Sequence, residues 1–130
     1  MIVTDASVVL EVLLRTADGE RLARRLFGAE ESVHAPHLLD VEVAQVLRRY
    51  VARGDVDPER GRAAIELLGR FPLTRHPHEP LLRRVWALRA NLTAYDAVYV
   101  ALAEGLDATL LTRDRKLANA PGNRATVDLV

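Results

Sequence analysis

The chain has no cysteine, one lysine, one methionine, one tryptophan and two phenylalanines among 130 residues. Without cysteine there is no disulfide framework, no thiolate-ligated zinc or iron–sulfur cluster, and no thiol nucleophile. No stretch approaches the roughly 20 apolar residues of a membrane span, so no membrane association is expected. The opening residues 1–14 are apolar but carry Asp5 and Glu11 and lack a basic segment, unlike a secretory leader, and the expected location is the cytoplasm. Net charge is absent too: 18 basic residues balance 18 acidic ones, which excludes a uniformly basic nucleic-acid binder and leaves local patches open. Neither a phosphate-binding P-loop nor a Gly-rich dinucleotide fingerprint occurs.

What is present is an ordinary globular composition, 49% hydrophobic and 28% charged. The length fits one domain, residues 1–130, with one core. All but one of the basic residues are arginine. Arginine offers a rigid fork to phosphate and carboxylate, although a GC-rich genome produces the same bias through codon choice.

Short apolar runs alternate with helical patterns along the whole chain. The pattern predicts strands over 1–4, 32–35, 71–74, 108–112 and 125–129. It predicts helices over 6–14, 19–27, 38–53, 58–68, 79–90, 93–104 and 115–119, with Gly28, Gly54 and Gly105 as stops and Asp57-Pro58 as a start. Such alternation implies a three-layer α/β/α domain around a central, mainly parallel sheet of four to five strands. Ligands of such sheets bind beyond the carboxyl ends of the strands, which is where chemistry is to be sought.

Two carboxylates fall there. Asp5 follows the first strand and Asp114 follows the fourth, and each alone also reads as a helix cap. Asp96 is the only charged residue between Leu92 and Ala103, in an otherwise small and apolar helix, three residues after Thr93 in capping-box spacing. A carboxylate in a first helical turn is held ionised by the helix dipole, and in a poorly hydrated place it needs a cation. Glu42 lies about 60° from Leu39 on the 3.6-residue wheel, at the edge of a core face formed by Leu39, Val43, Val46, Leu47 and Tyr50. Its i+3 and i+4 neighbours are Gln45 and Val46, so no basic residue balances it locally. Asp40 is turned about 160° from Glu42 and is left out; Asp107 reads as a turn residue. Four oxygen ligands without cysteine suit a hard cation, Mg²⁺ or Mn²⁺, of the kind that activates water and neutralises charge in phosphodiester hydrolysis. Arg113, Arg115 and Lys116 beside them would contact a nucleic-acid backbone, or simply form a solvated loop.

These residues resemble four motifs of the PIN-domain family. The Ile2-Val3-Thr4-Asp5-Ala6-Ser7 start is similar to the first motif. Leu38-Leu39-Asp40-Val41-Glu42-Val43 is similar to the second. The segments 93–103 and 110–117 are similar to the third and fourth, which are the specific ones. The size, with no added domain, resembles the VapC-type toxins of bacterial toxin–antitoxin pairs. The resemblance implies a Mg²⁺-dependent endoribonuclease, with Mn²⁺ able to substitute, that hydrolyses RNA phosphodiester bonds and leaves 5′-phosphate ends. It implies that Asp5, Glu42, Asp96 and Asp114 are the catalytic, metal-binding set, with Ser7 and Thr112 supporting it by hydrogen bonding. It also implies a homodimer inhibited by a cognate VapB-type antitoxin. One departure stands out: some PIN nucleases carry a further acid after the fourth motif, where this chain has Arg115-Lys116-Leu117. One metal held by the protein and a second brought with substrate is the corresponding expectation.

Rival readings remain. A metal-free ribonuclease would need histidines, and His34, His37, His76 and His78 are available, but no third ligand spacing accompanies His76-Pro77-His78. An aspartyl phosphoryl-transfer enzyme would want Asp-x-Asp after the first strand, where Asp5-Ala6-Ser7 stands. Within the same family, a housekeeping RNA-processing nuclease or a non-catalytic RNA- or protein-binding scaffold are the alternatives; bare clustered carboxylates would repel RNA, which speaks against the scaffold.

Overall fold

The computed structural model describes residues Met1–Val130. The elements run β1 (Ile2–Thr4), α1 (Ala6–Leu13), α2 (Gly19–Phe27), β2 (Val33–Pro36), α3 (Leu38–Ala52), α4 (Pro58–Gly69) and β3 (Thr74–His76). A 3₁₀ turn (Glu79–Leu81) leads into α5 (Leu82–Ala87), then α6 (Ala94–Leu106), β4 (Thr109–Thr112), α7 (Arg115–Ala118) and β5 (Thr126–Leu129). The five strands form one all-parallel sheet in the order β3-β2-β1-β4-β5. No helix is long and apolar enough to cross a membrane.

The central strands β1 and β4 are apolar without alternation, because helices cover both of their faces. The chain lays β2 and β3 to one side of β1, then crosses over and lays β4 and β5 to the other. Right-handed crossovers in opposite directions put successive helices on opposite faces. Accordingly α1 to α4 pack among themselves, while α5 packs on α6 and α6 lies across β1, β2 and β4. Every residue of α6 from Ala97 to Ala103 is buried, as small and apolar residues on all sides of a helix require. The reversal of strand order between β1 and β4 opens a crevice at their carboxyl ends. The register Thr4 to Leu111 brings Thr112 level with Asp5 there.

Three elements differ from the sequence pattern. β3 begins at Thr74 rather than 71, because Phe71 is buried edge-on against Phe27 (ring centroids 5.4 Å apart) and plugs the core ahead of the strand. The helix expected over 79–90 is a 3₁₀ turn containing Pro80 followed by a short α5, which ends at Ala87 with Leu88 as its cap. The helix α6 runs through Gly105 and stops at Asp107, whose φ of 50° is the left-handed cap. Val46 and Tyr50, placed on the core face of α3, are only partly buried against it.

The α1–α2 corner depends on one missing side chain. A Cβ on Gly19 would stand 2.4 Å from the Glu11 carbonyl oxygen. Gly19→Ala is therefore expected to lower unfolding free energy by about 2 kcal/mol in a denaturant titration; an unchanged midpoint would mean that the corner yields without cost.

Candidate active site

Asp5 leaves β1 in extended conformation and caps α1, accepting from the Val8 amide at 3.3 Å. The cap is only part of its surroundings. The Ser7 hydroxyl donates to Asp5 Oδ1 at 2.5 Å and the Thr112 hydroxyl donates to Oδ2. Both hydroxyls accept in turn from the loop after β4: the Arg113 amide donates to Ser7 Oγ at 3.1 Å, and the Asp114 amide to Thr112 Oγ1 at 3.0 Å. Asp5 is 7% exposed. Burial raises its pKa, and the hydrogen bonds from Ser7, Thr112 and the backbone offset this only in part.

Asp114 caps α7, its Oδ1 accepting from the Lys116 amide at 2.9 Å. Asp96 sits in the first turn of α6, where its amide donates to Thr93 Oγ1 at 3.2 Å, the expected half of a capping box. Burial and then the Asp114 charge push its pKa up, against a smaller pull from Lys116. Glu42, half-buried on α3, accepts from the Tyr99 hydroxyl. Its pKa is raised by burial first, opposed by that bond, and raised further by Asp96 and Asp5. Glu42 thus lies within reach of the charges of Asp96 and Asp5, and Asp96 within reach of that of Asp114.

The remaining acids make the contrast. Asp40 accepts both arms of Arg75 at 2.7 and 3.0 Å, Glu104 both arms of Arg84, and Glu59 and Glu66 share Arg62. No ion pair of the chain includes Asp5, Glu42, Asp96 or Asp114. Four carboxylates gathered at a sheet edge with no basic partner are what a divalent cation would satisfy. As the side chains stand, no three His, Asp or Glu residues surround one point closely enough to hold an ion. Yet Glu42 Oε2 and Asp114 Oδ2 accept no hydrogen bond within the chain, and an all-oxygen donor set is the kind that suits a hard cation.

Sequence reasoning missed Tyr99. It is 2% exposed, one helical turn beyond Asp96, and its only polar partner is Glu42. The i, i+3 spacing from Asp96 was the available signal. Burial and the surrounding carboxylates raise its pKa far out of reach, so it stays a donor. Arg113 is placed differently from expectation: its guanidinium pairs with Glu11 at 3.1 Å and Asp18 at 3.3 Å, tying the loop after β4 to the α1–α2 corner. Arg115 and Lys116 are exposed and unpaired. The histidines stand apart from the acids. His34 Nδ1 and His76 Nε2 share a proton at 2.9 Å, Ser32 Oγ lies 2.8 Å from His34 Nε2, and His78 Nε2 accepts from the Leu38 amide.

Comparisons with known proteins show the family and the fold. The PIN domain model matches residues 2–123. VapC ribonuclease Mb0985 of Mycobacterium bovis is 44% identical over 130 residues, covering 100% of this chain and 98% of its own. Ribonuclease VapC12 of Mycobacterium tuberculosis is 42% identical over 130 residues, covering 100% and 99%. Among solved structures, VapBC2 from Rickettsia felis bound to a DNA fragment from its promoter superposes with a TM-score of 0.73 at 11% identity, over 100% of this chain and 99% of that one. FitAcB from Neisseria gonorrhoeae superposes with a TM-score of 0.72 at 19% identity, over 98% and 96%. At those identities the shared feature is the fold.

Two stability measurements follow. Asp96 has a raised folded pKa, so its contribution to stability is present below the unfolded value and lost as pH rises through the folded one. In metal-free buffer at pH 7, Asp96→Asn is expected to raise Tm by a few degrees, a gap that closes toward pH 4; an Asn variant melting below its parent at pH 7 contradicts this. His34 is the opposite case. Burial, His76 and the Met1 amino group lower its pKa, so stability is lost as pH falls below the unfolded value of 6.5. The Tm of His34→Gln should therefore vary less between pH 7.5 and 5.5 than that of the parent (pH values chosen to bracket the ordinary histidine range, about 6.5).

Proposed function

This chain belongs to the PIN-domain family, and on that premise we propose that it is a Mg²⁺-dependent endoribonuclease, the toxin of a toxin–antitoxin pair, working as one domain over residues 1–130. Its full-length relatives are VapC ribonucleases, and ribonuclease activity is the established part of the reading. The observation that carries the rest is that these four carboxylates, brought to one edge of the sheet, have no basic partner, whereas ten of the other fourteen acids are ion-paired.

Asp5, Glu42, Asp96 and Asp114 would hold the cation, with Ser7 and Thr112 fixing Asp5. The ion, Mg²⁺ or Mn²⁺, supplies activation of water and neutralisation of charge on the phosphodiester. The protein's own part is orientation. Asp5 cannot rotate, since both oxygens are held by hydroxyls that are themselves held by the 113 and 114 amides. Asp114 is fixed by its cap, and the Asp96 backbone is set in the first turn of α6 by its amide on Thr93 Oγ1. Arg115 and Lys116, exposed beside Asp114, would follow the RNA backbone. Arg113, occupied by Glu11 and Asp18, positions the loop instead. A VapB-type antitoxin is the expected partner, in keeping with the toxin–antitoxin structures that share the fold. Homodimerisation is supported by exposed apolar side chains: Leu82 and Tyr95, which line one apolar cleft, and Trp86 one turn beyond Leu82, at 53%, 65% and 68% exposure.

Purified protein with Mn²⁺ or Mg²⁺ should cut cellular RNA at discrete positions, leaving 5′-phosphates. EDTA should abolish cutting, and Asp96→Asn should reduce it at least about 100-fold. Cutting that survives EDTA would move the chemistry elsewhere, and well-folded, antitoxin-free protein that cuts no RNA would favour a binding scaffold. In RNA binding, Arg115→Ala and Lys116→Ala should each flatten the plot of log K against log salt by roughly one phosphate contact; an unchanged slope rejects the backbone role.

A further inference from the structure

Two of the four acids have carboxylates held from nearby chain or from small hydroxyls, Asp5 by the Val8 amide, Ser7 and Thr112, and Asp114 by the Lys116 amide; Asp96 is placed by its backbone, its amide donating to Thr93 Oγ1 in the first turn of α6. Glu42 has none of this. It lies mid-helix on α3, its i+3 and i+4 neighbours are Gln45 and Val46, and its longer side chain has one more rotatable bond than an aspartate. Its one anchor comes from α6, a helix 57 residues away in sequence.

We propose that Tyr99 is a positioning residue for the metal site: its hydroxyl, donated to Glu42 Oε1, holds the carboxylate within reach of Asp96 and Asp5 and leaves Oε2 as the oxygen offered to a divalent cation. This rests on the reading of Glu42 as a ligand given above. The geometry favours a phenol for the task. Tyr99 is 2% exposed and enclosed by α6 neighbours that are all buried, so its ring has one orientation. It follows Asp96 by three residues, so one helical face presents a ligand and the anchor of another ligand. A neutral donor orients Glu42 without cancelling its charge, whereas an arginine there would compete with the cation. No other polar group contacts the Tyr99 hydroxyl, so the ring's hydroxyl has this single use.

The test is Mn²⁺ binding by calorimetry on the full chain, as parent, Tyr99→Phe, Glu42→Gln and the double variant. Tyr99→Phe keeps the ring and removes only the hydroxyl. It should weaken Mn²⁺ binding by about tenfold with Tm within a few degrees of the parent, and in the Glu42→Gln background it should weaken binding no further. Full Mn²⁺ affinity in Tyr99→Phe while Glu42→Gln is impaired overturns the role of Tyr99 alone. Penalties that multiply in the double variant also overturn it, because Tyr99 would then act independently of Glu42. Parent-like affinity in Glu42→Gln overturns the ligand reading of Glu42 and the positioning role with it.

Discussion

A carboxylate buried at the end of the central strand has to be given hydrogen-bond donors, and the way Asp5 obtains them organises the rest of the molecule. Ser7 reaches it from its own helix, and Thr112 reaches it from β4, the neighbour that the strand order places alongside β1. Both hydroxyls need donors of their own, which fixes the backbone at Arg113 and Asp114. Asp114 is thereby delivered to the same edge as Asp5. Stripping either hydroxyl would leave a buried charge short of a partner, which is costlier than the mean value of a hydrogen bond suggests.

The electrostatics divide the chain in two. Across most of the surface, arginine forks close on carboxylates, some in bidentate pairs such as Arg75 with Asp40 and Arg84 with Glu104. At the carboxyl edge of the sheet the pairing stops; burial raises the proton affinity of Asp5, and burial together with repulsion from neighbouring acids raises that of Glu42 and Asp96. A fold optimised for stability alone would not leave like charges adjacent and uncompensated. The cost is local, since the 31-residue apolar core beneath runs unbroken through both helical layers.

Much of this was legible beforehand. Uninterrupted apolar strands alternating with amphipathic helices pointed to a parallel three-layer sheet, and the strand-end rule directed attention to Asp5 and Asp114. Glu42 was legible because a boundary glutamate without a basic i+4 neighbour is unusual, and Asp96 because it is the only charge in a small-residue helix. What was not legible depended on tertiary contact. Nothing in the local pattern around Phe71 distinguishes a strand residue from a core plug meeting Phe27. Nothing near Arg113 indicates that Glu11 and Asp18 wait for it across the α1–α2 corner. Tyr99 reads as one more core residue of α6 until Glu42 is seen beside it.

The connection between Asp5 and Thr112 spans 107 positions of the chain, and its bearing on biosynthesis is direct. The first carboxylate is made almost at once, but the strand that orients it and the last acid of the set are made near the end. At typical translation rates the interval is of the order of 10 seconds. Throughout it the growing polypeptide has Asp5, and for most of it Glu42, without the β4 loop that completes the surroundings of Asp5. The set of acids therefore stays incomplete while the chain is being made, by topology alone and without any inhibitor.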